Sequence, residues 1–230
     1  MIMNLLSGEI ILKYVLLVLL AAVSAVHLYH SWTDDSSKRK YTKPFLLPLI
    51  IAYYIVCADK LSWVLIIALA ASWLGDVLLI PKGNGWFTAG GISFMITHFL
   101  FIAVYAMSVD FSKVRWMPVV PAVILYYGIS AVIIKSLKPS TPKMMLIPMY
   151  VYLLANSTMN VFSLMQLISL RSAGATVAFI GAVLFFISDC TLFLVRYHKN
   201  KDLIFKKHFT VMLTYIAGEF LIAQGILMIS

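Results

Sequence analysis

AGATVAFIGAVLFFISDCTLFLVRY, residues 173–197, is an apolar stretch that carries a single carboxylate, Asp189. About 20 consecutive apolar residues are enough for one helix to cross the hydrocarbon core of a bilayer. Seven more apolar stretches occur along the chain, so we predict an all-α, polytopic transmembrane bundle of eight helices. The predicted spans are residues 9–30, 44–57, 61–80, 87–108, 117–135, 146–167, 173–197 and 209–230.

The composition leads to the same fold class. Hydrophobic residues make up 62% of the chain and charged residues 12%, whereas soluble domains average about 45–50% and about 25%. Lipid must therefore be the solvent for most of the surface. The spans use almost the whole length, which predicts one integral membrane domain over residues 1–230 in contact with the lipid bilayer.

Basic residues predict the orientation. Of the 18 Lys and Arg residues, 13 lie in the odd-numbered connectors, those after spans 1, 3, 5 and 7. By the positive-inside rule, these connectors are cytoplasmic and both termini lie outside the cytoplasm. We expect the bacterial inner membrane. The net charge of +9 is explained by these connectors, so no nucleic-acid partner is expected.

The third and seventh spans resemble each other. Each places an aspartate directly after a small residue, in Gly75-Asp76 and in Ser188-Asp189, on helices that run in the same direction. Both a four-plus-four parallel repeat and a chance similarity account for this echo.

Three acidic residues lie inside the spans, away from their ends: Asp76, Asp189 and Glu219. An ionised carboxylate within a bilayer is unfavourable by several kcal/mol, so such groups must face protein or water. Tyr215 and Asn156 fall at related depths on the predicted cytoplasmic side. The grouping favours a functional site in that half of the bilayer. The alternative is that each acid only links neighbouring helices.

His98 is the one histidine in the interior of a predicted span. A catalytic zinc site needs about three converging side-chain ligands, so we predict no metal and no cofactor. His98 has two interpretations: a packed ring with satisfied nitrogens, or a polar partner within the cavity.

Several of these positions resemble a known family, the YhhN-type lysoplasmalogenases, which are eight-span membrane proteins. The similar pieces are Lys43-Pro44, Gly75-Asp76, Phe87 with Gly90 or Gly91, Phe94 and His98, residues 181–189 (GAVLFFISD), and Tyr215 with Gly218-Glu219. The chain departs from the family pattern at Glu219, where glutamine is usual, and in residues 150–160, which are richer in Asn and Ser.

The resemblance implies an ether hydrolase. Animal members of the family cleave the vinyl-ether bond of lysoplasmalogens to a fatty aldehyde and a glycerophospho-base. This is acid chemistry, and it needs one protonated carboxyl group and one carboxylate. We assign the pair to Asp76 and Asp189, with the deeper Asp189 as the protonated member. Supporting or substrate-binding roles are expected for Lys43, Lys82, His98, Tyr150, Asn156, Ser188, Tyr215 and Glu219, of which Lys43 or Lys82 would hold the lipid phosphate.

Two other functions fit the same residues. Buried acids also serve proton-coupled transporters of small molecules or lipids. They also occur as interhelical contacts in non-catalytic lipid-binding proteins.

Overall fold

The computed structural model of the protein describes residues 2–229, with side chains from residue 10 onward. Within that range the chain forms eight α-helices and no strand. The helices are α1 (Ile2–Trp32), α2 (Ser36–Cys57), α3 (Trp63–Leu78), α4 (Asn84–Ser108), α5 (Trp116–Leu137), α6 (Lys143–Leu170), α7 (Ala173–Tyr197) and α8 (Lys207–Leu227). Ser230, the predicted end of the last span, lies outside the described residues.

Six helices, α1 and α4 to α8, are long and apolar enough to cross a membrane. Large apolar side chains on them point away from the protein: Ile124 and Val132 of α5 are each 68% exposed. Lipid is the solvent that such surfaces require. The chain is a multi-pass helical membrane protein, which confirms the predicted fold class.

The second helix differs most from its predicted span. It begins at Ser36 rather than at Pro44. The prediction missed its first turns because they carry basic residues, which an apolar pattern does not include. Asp35 caps this helix by accepting hydrogen bonds of 3.1 Å from the backbone N–H groups of Ser37 and Lys38. The third helix is the short one: its 16 residues rise only about 24 Å.

Two prolines inside α2 create a contact with α3. Pro48 has no N–H group, so the carbonyl oxygen of Pro44 lacks its usual partner four residues later. The indole N–H of Trp73 donates a hydrogen bond of 2.9 Å to that oxygen. This bond joins α2 to α3 one residue from Lys43 and three residues from Asp76.

The last two helices pack through glycines. A methyl group added at Gly181 of α7 would lie 2.6 Å from the backbone nitrogen of Ile222 in α8, and one at Gly218 would lie 2.9 Å from the backbone nitrogen of Phe185. Both distances are shorter than a carbon atom allows. Small residues of this kind let two membrane helices approach until their backbones touch.

Consecutive helices pair as α1–α2, α3–α4, α5–α6 and α7–α8. In addition, α2 contacts α3 and α8, while α6 contacts α4 and α7. Connectors 33–35, 79–83, 138–142 and 198–206 lie at one end of the bundle, which we call the basic end. Two groups of helices surround the buried acids. Helices α2, α3 and α8 form the group around Asp76, and α4, α6 and α7 form the group around Asp189.

Candidate active site

Asp76 lies in the last turn of α3 and is 1% exposed. The ammonium nitrogen of Lys43 is 3.0 Å from its Oδ1, and the hydroxyl of Tyr215 donates a hydrogen bond of 2.8 Å to its Oδ2. Each carboxyl oxygen therefore has a donor, and one donor is a cation. An ionised carboxylate satisfies both contacts.

Asp189 lies two turns from the end of α7 and is also buried. The side-chain amide of Asn156 donates a hydrogen bond of 3.2 Å to its Oδ2, and Nε2 of His98 is 3.1 Å from the same oxygen. The phenol of Tyr152 is a third polar neighbour of the carboxyl group. No lysine or arginine lies within ion-pair distance of Asp189 among the described side chains.

His98 is oriented by its other ring nitrogen. Nδ1 lies 2.6 Å from the backbone oxygen of Phe94, and because a carbonyl only accepts, Nδ1 carries a hydrogen. In a neutral ring, Nε2 then presents its lone pair to Asp189. Two lone pairs at this distance repel, and a proton on either Nε2 or the carboxyl group would remove that repulsion. In this structure the contact is close without the alignment of a hydrogen bond.

Glu219 lies one turn beyond Tyr215 on the same face of α8 and is fully buried. Ser72, one turn before Asp76 in α3, donates a hydrogen bond of 2.6 Å to its Oε1. A second α3–α8 contact therefore lies one turn deeper than the contact of Asp76 with Tyr215.

The two aspartates line the same cavity. Its volume is about 420 Å³, and its wall includes five of the predicted site residues: Lys43, Asp76, Ser188, Asp189 and Tyr215. His98, Asn156 and Glu219 lie behind this wall. The hydroxyl of Ser188 donates a hydrogen bond of 3.0 Å to the backbone oxygen of Val211. The structure thus brings two acids from helices that are far apart in the sequence to one open cavity.

Two predicted residues lie elsewhere. Lys82 is exposed in the α3–α4 connector, and Tyr150 is partly buried on α6; neither lines the cavity. Basic charge near the mouth of the cavity comes from other residues.

Arg196 and His208 line the cavity near the basic end, and the sequence analysis did not identify either as a site residue. The Arg196 guanidinium lies 3.7 Å from the centre of the Phe87 ring and donates a hydrogen bond of 3.1 Å to the Asn84 side chain. Among the described side chains, no carboxylate forms an ion pair with it. Arg196 follows Asp189 by seven residues, two helical turns, and this spacing was the available signal.

The cavity therefore contains two carboxyl groups in unlike settings. Asp76 is paired with a cation, whereas Asp189 lies 3.1 Å from an imidazole nitrogen and accepts a hydrogen bond from an amide. A pair that differs in this way suits general acid–base catalysis. Among the side chains described from residue 10 to residue 229, no group of three or more His, Cys, Asp and Glu residues is placed to hold a metal ion.

Comparison with known proteins adds one match. The YhhN family model matches residues 38–226, a range that contains every residue of the cavity wall. This match confirms the resemblance seen in the sequence. No curated protein and no solved structure matches the chain.

Proposed function

Since the chain belongs to the YhhN family, we propose that it is a membrane-embedded hydrolase that cleaves the vinyl-ether bond of lysoplasmalogen-like lysophospholipids. The observation that carries this proposal is that Asp76 and Asp189 line one cavity with different partners. A vinyl ether reacts by protonation at carbon, and this reaction needs an acid and a base on the same substrate.

Asp189 is the proton donor in this proposal. The carboxyl group, or the imidazole through it, transfers a proton to the alkene carbon remote from the ether oxygen. The alkene electron pair forms the new C–H bond, and the ether oxygen stabilises the resulting oxocarbenium ion. The Asn156 amide then stabilises the carboxylate that remains.

Asp76 is the base. Its carboxylate attracts the oxocarbenium ion and accepts a proton from the water that adds to it, which gives a hemiacetal. Collapse of the hemiacetal releases the aldehyde and transfers the hydroxyl proton to the departing glycerol oxygen. Asp76 now holds one extra proton and Asp189 lacks one, so exchange with solvent restores both. Lys43 and Tyr215 position Asp76 for this role.

Arg196 is the proposed contact for the lipid phosphate. Lys43, one of the two lysines predicted for this role, is paired with Asp76, and Lys82 lies outside the cavity. A guanidinium without a carboxylate partner is suited to a phosphate because it donates two parallel hydrogen bonds. Arg196 also lies nearer the basic end than either aspartate, as the headgroup end of the substrate requires.

We also propose the orientation that the basic residues predict. With the basic end in the cytoplasm, the cavity serves the cytoplasmic leaflet of a bacterial inner membrane, and both termini lie on the other side.

The test is aldehyde release from a lysoplasmalogen by the detergent-purified protein. We expect aldehyde from the vinyl-ether lipid and none from the matching saturated ether, which has no alkene to protonate. In D₂O, with the aldehyde reduced to the alcohol as it forms, the product should carry one solvent deuterium on the carbon next to the former carbonyl. Absence of turnover would refute the hydrolase.

The same preparation tests the alternatives. Proton-dependent uptake of solute or lipid into proteoliposomes, without aldehyde release, would support a transporter. Lipid binding without either activity would support a non-catalytic lipid-binding protein.

A further inference from the structure

A second, smaller space lies between α4 and α6, with a volume of about 200 Å³. Its wall is formed almost entirely by apolar side chains, among them Met95, Met145 and Met149. Thr88 is one of the few polar residues there, and its hydroxyl donates a hydrogen bond of 2.8 Å to the backbone oxygen of Asn84. We call this space the α4–α6 groove. Because this surface is almost entirely apolar and the Thr88 hydroxyl is already hydrogen-bonded, it suits a hydrocarbon ligand.

One layer of aromatic rings separates the groove from the acid cavity. Phe87 lines both spaces, and its ring meets that of Phe193 edge to face with centres 6.3 Å apart. Phe193 follows Asp189 by one turn of α7, and Tyr152 packs against both Phe193 and His98. The groove is therefore one ring away from the proposed proton donor.

The charge beside this ring layer identifies the occupant. The Arg196 guanidinium lies over Phe87, so a cation without a carboxylate partner and an apolar groove meet at one side chain. A molecule that fits both has an anionic end and a single hydrocarbon tail. In a lysophospholipid the vinyl-ether bond lies between these two parts, and the cavity that holds both aspartates is lined by Arg196 and shares Phe87 with the groove.

We propose that the α4–α6 groove binds the hydrocarbon chain of the substrate and that the chain reaches it past Phe87, the side chain that lines both spaces. This inference rests on the proposed function and names the part of the site that recognises the chain. The groove faces the bilayer, so a lysolipid enters sideways from the leaflet. Methionine side chains adapt to different shapes, which lets chains of different length and unsaturation bind.

Gly91 allows a direct test. It lines the groove, and a side-chain carbon added there meets no atom within 4 Å. Gly91→Leu should therefore fill the groove without disturbing the fold or the acids. We expect kcat/KM to fall for a sixteen-carbon chain by roughly tenfold for every two methylene groups excluded, with little change for an eight-carbon chain.

Gly128→Leu is the matched control, because Gly128 lies on α5 and also has open space around it. It should leave the chain-length profile unchanged. An unchanged profile in Gly91→Leu as well would overturn the groove assignment.

A second measurement does not depend on turnover. A saturated-ether lysophospholipid with a diazirine at the chain end is photolysed with the wild-type protein, and the labelled peptides are identified by mass spectrometry. Label on α4 and α6 around Met95 and Met149, removed by unlabelled lysolipid and weakened by Gly91→Leu, is the expected result. Label spread over α5, or label that unlabelled lysolipid does not remove, means ordinary bilayer contact and overturns the proposal.

Photolabelling and the aldehyde assay together distinguish a failure of the groove assignment from a failure of the proposed hydrolase. Groove labelling without aldehyde release would support the chain-binding site and refute the hydrolase. Aldehyde release without groove labelling removes the chain site and leaves the hydrolase.

Discussion

Asp76 and Asp189 occupy corresponding places in the two halves of the chain. Asp76, on α3, contacts Lys43 from α2 of its own half and Tyr215 from α8 of the other half. Asp189, on α7, contacts Asn156 from α6 of its own half and His98 from α4 of the other half. Each acid is thus held by the second helix of its own half and the fourth helix of the opposite half.

This arrangement is the one that a four-plus-four parallel repeat produces. Helix α2 contacts α3 and α8, just as α6 contacts α7 and α4. The partners differ where the two acids need different properties: a lysine for one, an amide and an imidazole for the other. The architecture that places both acids alike therefore leaves their chemistry free to diverge.

Replacing either acid by its amide should stop the reaction. Asp189→Asn removes the proton donor, and Asp76→Asn removes the base, while the shape of each side chain is kept. General acid–base catalysis contributes about 10²- to 10⁴-fold, and we expect losses of this size in aldehyde release.

Asp202→Asn is the control for both substitutions, because Asp202 lies exposed in the α7–α8 connector. All three proteins should elute as folded species in size-exclusion chromatography. Wild-type turnover by either amide variant would contradict the assigned roles.

Lys43→Met should lower the thermal stability of the protein. It leaves the buried Asp76 without its cation, and breaking one side of a buried ion pair costs about 3–5 kcal/mol; the 17% exposure of the lysine side chain favours the lower value. Unfolding of the purified protein in detergent measures the change.

The double variant Lys43→Met/Asp76→Asn should recover much of the lost stability, because no unpaired charge remains. Lys82→Met should change little, since Lys82 is exposed outside the cavity. Equal melting temperatures for Lys43→Met and wild type would show that the ion pair is unimportant for stability.

Arg196→Gln should raise KM for an anionic lysolipid and leave kcat nearly unchanged. Loss of a charge-assisted hydrogen bond weakens binding by about 1.5–3 kcal/mol, which is roughly 10- to 100-fold. Steady-state kinetics gives both constants.

Arg196→Lys should recover part of the binding, because it keeps the charge and loses the two-pronged geometry. Lys82→Gln should behave as wild type. An equal rise in KM for Lys82→Gln and Arg196→Gln would contradict the assignment to Arg196 alone and would indicate that Lys82, in the α3–α4 connector, also contacts the phosphate.

His98→Phe should lower kcat with little effect on KM. It removes the imidazole that lies 3.1 Å from Asp189, while the packing against Phe185 is largely kept. The alkaline limb of the kcat–pH profile should move, since the proposed proton donor loses its neighbouring imidazole. A structural role alone would reduce the yield of folded protein and leave that limb in place.

Gly181→Ala should destabilise the protein, because the added methyl group meets the backbone nitrogen of Ile222. Overpacking of this kind costs about 1–3 kcal/mol. Gly128→Ala is the control, with open space at the site, and its melting temperature should match that of the wild type.

The sequence predicted the number of helices and the family, and it located the acids within the helices. Hydropathy and the unfavourable burial of charge in lipid depend on each residue separately, so both can be inferred from a single sequence. The sequence did not predict which side chain contacts each acid. Lys43 and Arg196 both lie at the ends of predicted spans, where the positive-inside rule already accounts for them. Only the packing of α2 against α3 directs Lys43 to Asp76.

The start of α2 shows the same limit. Residues 36–43 are mostly basic and polar, so the predicted span began only after them, at residue 44. The cap at Asp35 and the bond from Trp73 to Pro44 extend and hold that helix. Ser72 likewise has no feature in the sequence that predicts its hydrogen bond to Glu219.

The glycine contact between α7 and α8 has a consequence for how the protein is made. Of the eight helices these two come last in the described chain, and their backbones fit so closely that we expect them to enter the membrane as one hairpin. They carry Asp189 and Tyr215. Until they are in place, Asp76 has Lys43 but neither Tyr215 nor the second acid. Under the proposed function, we therefore expect the nascent chain to leave the surrounding lipids uncleaved until its final hairpin is inserted.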